Sequence, residues 1–169
     1  MFILLTDWFN QRHKEDVVYH YRDTQPGNGA VAVVILSPKN EVLLVIQRNR
    51  KNPFWKIPVE TRRFNEYPVQ TATRGAWEEL GLNLRNYDFE EVATEDRSVP
   101  NHYRPYIFIA FVSQEIFESH AVQGNEDGAV LDIRKEQFSN IYGLHRFLKT
   151  HYYIVKTVAD HLKTSKVAE

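Results

Sequence analysis

Residues 66–82 read EYPVQTATRGAWEELGL, and they decide the fold prediction because they hold a helix with its start and stop signals. Pro68 suits the first turn of a helix, where its missing N–H costs nothing. Apolar residues then recur at helical spacing and form a stripe that should be buried: Val69, Ala72, Ala76 and Leu80. Gly81 fits the position that ends a helix. We therefore predict an amphipathic helix between Pro68 and Gly81.

Two adjacent acids, Glu78 and Glu79, give this helix its chemical interest. Residues three and four apart are neighbours on a helix, so positions 75, 78 and 79 share one face. We predict that this face lies opposite the apolar stripe, with both carboxylates pointing away from the core. Such carboxylates repel each other unless a cation joins them, and Mg²⁺ binds carboxylate oxygens together with substrate phosphates. The pair is interpreted as a metal site, although an arbitrary Glu-Glu pair is more often a solvated helix face.

The spacing around these acids extends upstream to residue 60. The chain reads Glu60, five residues, Glu66, seven residues, and then RGAWEELGL. This resembles the Nudix box, whose pattern is Gly, five residues, Glu, seven residues, and Arg-Glu-apolar-x-Glu-Glu-x-Gly-apolar. The matching positions are Glu66, Arg74, Ala76, Glu78, Glu79, Gly81 and Leu82. The resemblance runs from about Gly29 to about Phe138 and includes EVLLVIQR and FWKIP upstream of the box.

The resemblance to the Nudix hydrolase superfamily implies an α/β (α+β) fold, a Nudix-like α/β/α sandwich with a mixed β-sheet. It also implies Mg²⁺-dependent hydrolysis, with Mn²⁺ as the alternative metal, of the pyrophosphate bond of a nucleoside diphosphate linked to another group, such as a nucleotide sugar. In this interpretation Glu78 and Glu79 hold the metal, and water is the nucleophile. Arg74 bridges Glu66 and steers Glu78, where the alternative is an ordinary surface ion pair.

Two positions depart from the box. Glu60 stands in place of the leading glycine, and Gly75 replaces the glutamate after the arginine, which is a metal ligand or base in the family. Glycine inside an exposed helix costs about 1 kcal/mol relative to alanine, so Gly75 needs a reason. We hypothesise that Glu60 fills the room left by Gly75 and supplies a third acid to the metal. Alternatively, Glu60 pairs with Arg62 or Arg63, and the chain is a weakened or inactive Nudix-like nucleotide-binding module.

Two arginines and one further acid complete the candidate site. Arg48 and Arg62 lie in a local basic excess around the box, and arginine matches phosphate oxygens bidentately, so both are predicted to bind substrate. Glu126, with Asp127 as second choice, is the candidate for an additional loop acid. The alternatives are solvated loop charges and a polar turn.

The composition narrows the class of protein. A chain of 169 residues is predicted to be a single domain, 1–169. A formal charge of −1 argues against broad electrostatic attraction to nucleic acid or to an anionic membrane, and the resemblance implies a small-molecule nucleotide substrate. Without cysteine there is no disulfide and no cysteine-based zinc site. The opening run MFILLTDWF is too short for a signal peptide, so a cytoplasmic location is expected.

The other secondary-structure elements are predicted from apolar periodicity. A first strand is expected at residues 16–22, and two further strands are joined by a turn at residues 38–40. HYRPYIFIAFV predicts a long strand and AVLDI a shorter one. An amphipathic C-terminal helix is expected at about 143–163, and its apolar stripe serves either the core or a homodimer.

Overall fold

The sheet is built around one central strand that is apolar along its whole length. The structure is a computed structural model and describes residues 29–47, 53–92, 105–123 and 130–167. The strand predicted at residues 16–22 lies outside these ranges. The strands are β1 (Ala30–Leu36), β2 (Glu41–Gln47), β3 (Val59–Thr61), β4 (Phe89–Val92), β5 (Tyr106–Phe111) and β6 (Val130–Gln137).

The sheet has mixed strand directions. Its order is β4-β5-β1-β2-β6, with β3 also paired to β1. β1 and β5 run parallel, and the other pairings are antiparallel. β1 and β2 form the predicted hairpin, with a turn at residues 38–40. Because β1 has a strand on each side and a helix over each face, its sequence is a nearly continuous apolar run.

The two strands of the hairpin separate beyond the turn, and another segment enters between them. β1 pairs with β2 at Leu36 and Val42, whereas the other end of β1 pairs with β3. Residues 56–61 fill the gap, and we call them the wedge segment. The Val33 N–H donates to the carbonyl oxygen of Pro58, and the Val45 N–H donates to that of Lys56, each at 2.9 Å. The wedge segment, which ends in β3, is therefore hydrogen-bonded to both strands of the hairpin.

Helices cover both faces of the sheet. Helix α1 (Pro68–Leu80) packs its apolar stripe against the odd-numbered positions of β1, from Val31 to Ile35. Helix α3 (Tyr152–Val167) packs against the even-numbered positions of β1 on the opposite face. A short helix, α2 (Gln114–Glu118), follows β5. This arrangement confirms the predicted α/β/α sandwich with a mixed sheet. No helix in the described ranges is long and apolar enough to cross a membrane.

The ends of α1 follow the predicted signals. Pro68 is its first residue, and the backbone N–H of Tyr67 donates to Oε1 of Gln70 at 2.8 Å. At the other end Gly81 adopts the left-handed conformation, with φ of 67°. The Leu82 N–H then bonds to the carbonyl oxygen of Ala76 at 3.0 Å, and this bond closes the end of the helix.

The C-terminal helix was predicted to begin too early. It starts at Tyr152 rather than near residue 143, and 3₁₀ turns occupy Phe138–Gly143 and Lys149–His151. The reason is a backbone pairing that the apolar pattern does not reveal. The Trp55 N–H bonds to the carbonyl oxygen of Arg146, and the Leu148 N–H bonds to that of Trp55. These bonds hold residues 146–148 out of a helix.

Other differences concern strand length and short elements. AVLDI was predicted to be the shorter strand, but it continues to Gln137, and β6 has eight residues against six in β5. It is longer because it pairs along the whole of β2. β3, β4 and α2 were not predicted, since three to five residues carry too little periodicity to distinguish a strand from a helix or loop.

Gly81→Ala is predicted to destabilise the protein. Besides the left-handed backbone, an added Cβ would lie 2.6 Å from the carbonyl oxygen of Ala121. We expect a loss of about 1–3 kcal/mol in the free energy of unfolding, measured with urea. Gly143→Ala is the matched control, because no atom lies within 4 Å of its added Cβ. Equal stability of the two variants would contradict this account of the helix end.

Candidate functional site

The two adjacent acids of α1 lie in different environments. Glu78 is exposed at the surface, with 44% of its side chain accessible, as predicted. Glu79 was also predicted to point away from the core, and this is wrong, since only 4% of the residue is exposed. The burial arises because the wedge segment covers the helix face that carries Gly75 and Glu79. A carboxylate in this position faces protein rather than water.

The buried Glu79 carboxyl group has few hydrogen-bond donors. Gln47, at the end of β2, donates from Nε2 to Oε1 of Glu79 at 3.3 Å. The other oxygen, Oε2, is buried without a hydrogen-bond partner. An ionised carboxylate normally accepts several hydrogen bonds, so leaving one oxygen unpaired in the interior costs free energy.

The pKa of Glu79 is raised to about 8, first because burial disfavours its charged form. The negative charge of Glu60 raises it further, and the charge of Lys56 opposes the rise. Without a cation, therefore, the Glu79 carboxyl group holds a proton near neutral pH.

Arg74 connects the remaining acids of the site. Its Nη1 lies 2.6 Å from Oε2 of Glu60 and 3.1 Å from Oε2 of Glu78. Its Nε and Nη2 lie 3.1 and 3.0 Å from the two oxygens of Glu66, a bidentate pair. Nη2 also donates to the carbonyl oxygen of Thr61 at 2.8 Å. One guanidinium group thus ties α1 to β3 and to the loop before the helix.

Glu66 is held firmly in its charged form. Its burial opposes ionisation, but hydrogen bonds from Arg74 and from the hydroxyl of buried Thr71 outweigh that effect and lower its pKa. Burial opposes the charge of Arg74, but its hydrogen bonds and ion pairs with Glu66 and Glu60 outweigh that effect and raise its pKa. The predicted geometry, in which Arg74 bridges Glu66 and contacts Glu78, is present in the structure. It is a partly buried network rather than an isolated surface pair.

Glu60 and Gly75 are in direct contact across the site. A Cβ atom built on Gly75 would lie 2.7 Å from Cγ of Glu60, so the Glu60 side chain or the helix would have to move to accommodate it. The ion pair of Glu60 is made with Arg74, whereas Arg63 lies 3.4 Å from Glu78. The predicted filling of the Gly75 space by Glu60 is therefore found in the structure.

Of the two predicted substrate arginines, the structure describes only Arg62. Arg62 is only 8% exposed, and its guanidinium lies 5.9 Å from the centre of the Tyr106 ring. Its predicted role in substrate binding stays a prediction. Arg48, Glu126 and Asp127 lie outside the described residues, so their predicted roles stay predictions.

Sequence reasoning missed two residues that contact or influence Glu79. Gln47 closes one side of its carboxyl group, and buried Lys56 contributes a positive charge nearby. Gln47 ends an apolar strand, and Lys56 belongs to the FWKIP run, so neither has a motif of its own. Their proximity depends on how the wedge segment enters the sheet, which no local pattern specifies.

The carboxylates of the site are the groups that could bind a divalent cation. In the part of the chain that the structure describes, no group of three or more His, Cys, Asp or Glu is arranged to hold a metal ion. The available chemistry nevertheless suits a hard cation, because Glu60, Glu78 and Glu79 offer carboxylate oxygens and one buried oxygen lacks a donor. Two of these acids are meanwhile held by Arg74.

Several solved structures resemble this one. A NUDIX-family hydrolase from Clostridium perfringens has a TM-score of 0.56 at 15% identity, covering 80% of this chain and 98% of that chain. A MutT structure, from work on the Aliivibrio salmonicida and Vibrio cholerae proteins, has a TM-score of 0.53 at 16% identity, covering 78% and 97%. These identities support similarity of fold alone.

A third similar structure is a bifunctional NMN adenylyltransferase/ADP ribose pyrophosphatase from Francisella tularensis, complexed with AMP and a manganese ion. Its TM-score is 0.52 at 17% identity, over 90% of this chain and 47% of that longer chain. No curated protein sequence matches this chain significantly. The NUDIX domain model matches residues 26–141, which is more than half of the sequence. The chain therefore belongs to the Nudix family.

Proposed function

We propose that this protein is a hydrolase that uses Mg²⁺ or Mn²⁺ to cleave the pyrophosphate bond of a nucleoside diphosphate linked to another group. Family membership supports hydrolysis as the general chemistry. The Francisella protein, named as an ADP ribose pyrophosphatase and bound to AMP and manganese, supports this substrate class. The observation that carries the proposal is the buried Glu79 carboxyl group, which has an oxygen without a donor beside the exposed Glu78.

Glu79 and Glu78 are the residues proposed to hold the cation. A buried carboxylate with an unpaired oxygen is unfavourable unless a positive charge compensates it. A divalent cation would remove the need for the proton that Glu79 now holds. Glu78 is exposed beside it and can offer a second carboxylate from the solvent side. The remaining ligand positions are open to water and substrate phosphate oxygens, as is usual for Mg²⁺.

Arg74 and Glu66 are proposed to position these acids. The bidentate pair between them fixes the guanidinium, which then directs Glu78 through its 3.1 Å contact. Outer partners of this kind commonly change metal affinity about 10–100-fold when they are removed. Arg74 also offsets part of the negative charge of the site while no cation is bound.

Bound Mg²⁺ or Mn²⁺ would polarise a phosphoryl oxygen and lower the pKa of a coordinated water. The protein would contribute orientation, since Glu78 and Glu79 come from adjacent positions of one rigid helix. Arg63 is a better placed cation for the substrate than Arg62, because its side chain is 64% exposed and lies next to Glu78. The predicted roles of Arg48 in substrate binding and of Glu126 as an added acid remain part of this proposal.

A second function is supported by a specific feature of the site. Gly75 removes the box glutamate from the helix, and Arg74 forms ion pairs with Glu60 and Glu78. A protein that binds a nucleotide without cleaving it would be consistent with both observations. In that case nucleotides would raise the melting temperature while no product is released.

The proposed activity is tested with dinucleotides and nucleotide sugars, including ADP-ribose, in the presence of Mg²⁺ or Mn²⁺. We expect release of nucleoside monophosphate that depends on the metal, measured by chromatography. Glu79→Gln should lower the rate by about 100-fold or more, since it removes a charge on which the metal depends. Glu115→Gln, on exposed α2, is the control of equal charge. No turnover with any substrate, together with a nucleotide-induced rise in melting temperature, would favour the binding module.

The raised pKa of Glu79 predicts a pH dependence of stability in the presence of a chelator. Between pH 4.5, the ordinary value, and about 8 the folded protein holds a proton that the unfolded chain has lost. The free energy of unfolding should therefore fall as the pH rises, by at most about 1.4 kcal/mol per pH unit from this group. Urea unfolding at pH 5.5 and 7.5 measures the fall, which should be smaller in Glu79→Gln. Equal falls in the two proteins would show that Glu79 is not protonated in the folded state.

A further inference from the structure

The contact between Glu60 and Gly75 joins the two positions at which the box of this chain departs from its pattern. Gly75 lies in the middle of α1, where glycine is unfavourable, and Glu60 lies on β3, which pairs with β1. A side chain at position 75 would collide with Cγ of Glu60 at 2.7 Å and contact its Cβ at 3.4 Å. Only one of the two positions can carry a large side chain in this space.

The Glu60 carboxyl group occupies the centre of the site. It lies 2.6 Å from Arg74 on one side, and its negative charge acts on buried Glu79 on the other. Its charge affects Glu79 more strongly than that of the adjacent Glu78. The acid that faces buried Glu79 therefore comes from the strand rather than from the next position of the helix.

We infer that Glu60 supplies, from β3, the carboxylate that position 75 of α1 lacks, and that it does so only because residue 75 is glycine. This inference rests on the proposed function, since the carboxylate serves the same cation as Glu78 and Glu79. The unpaired, buried oxygen of Glu79 is the independent sign that a ligand is missing at this place. Compared with the box pattern, this exchange of residues places the acid on β3 instead of α1, and the site keeps the same number of carboxylates.

The exchange explains three observations together. It accounts for a glycine in the interior of a helix whose neighbouring residues are good helix formers. It accounts for a partly buried glutamate on a three-residue strand. It also explains why Arg74 has three carboxylate partners. A decayed site would explain the lost helix acid but would not require an acid to fill the vacated space.

The test exchanges the two residues and measures binding of Mn²⁺ alone. Five proteins are compared by calorimetric titration and by thermal unfolding: wild type, Glu60→Gln, Glu60→Gly, Gly75→Glu, and the double variant Glu60→Gly with Gly75→Glu. Glu60→Gln keeps the shape of the side chain and should weaken Mn²⁺ binding about 10–100-fold. Gly75→Glu alone should lower the melting temperature by a few degrees because it collides with Glu60. The double variant should recover most of the Mn²⁺ affinity lost in Glu60→Gly and most of the stability lost in Gly75→Glu.

Glu79→Gln in the same titration separates this inference from the proposed function. Loss of Mn²⁺ binding in Glu79→Gln together with wild-type binding in Glu60→Gln would overturn the inference alone. Wild-type binding in both variants would overturn the metal site, and with it the proposed function. A double variant that binds no better than Glu60→Gly, although it is folded, would show that the two positions are not exchangeable.

Discussion

The interaction on which the site depends is the contact of one guanidinium group with three carboxylates. Without Arg74, the acids Glu60, Glu66 and Glu78 would carry like charges close together along one side of α1. Their repulsion would oppose the packing of α1 against β3 and the loop before it. Because arginine presents several donors in a fixed plane, a single side chain can hold all three acids and a backbone carbonyl. The position of Glu79 follows from this packing.

The arrangement of the strands explains why Glu79 is buried. The hairpin of β1 and β2 opens beyond its turn, and the wedge segment enters the gap with hydrogen bonds to both strands. This brings Glu60 and Lys56 close to α1 and covers the helix face that would otherwise be exposed to water. The result is an asymmetric pair of acids, in which Glu78 is accessible and Glu79 is enclosed. Such asymmetry separates the chemical roles of two identical side chains, because burial changes the cost of their charge.

Much of the fold was predictable from local pattern, and the reasons are specific. The stripe from Val69 to Leu80 and the signals at Pro68 and Gly81 defined α1, and the apolar run of β1 indicated a strand buried on both faces. The spacing of the box placed Glu66, Arg74 and Glu78 together. What could not be predicted depends on contacts distant in sequence. The burial of Glu79, the covering of Arg62 by Tyr106 and the late start of α3 all result from segments that pack against one another.

The central claim is that buried Glu79 binds a divalent cation beside Glu78. The most direct measurement is the anomalous scattering of manganese in crystals that are soaked in Mn²⁺ above pH 8, where Glu79 loses its proton. The data are collected near the manganese absorption edge. The account predicts a peak within about 2.5 Å of a Glu79 carboxylate oxygen, with Glu78 among the neighbouring ligands. It would be contradicted by crystals in which manganese binds elsewhere, or nowhere, while the carboxyl group of Glu79 stays buried without a metal.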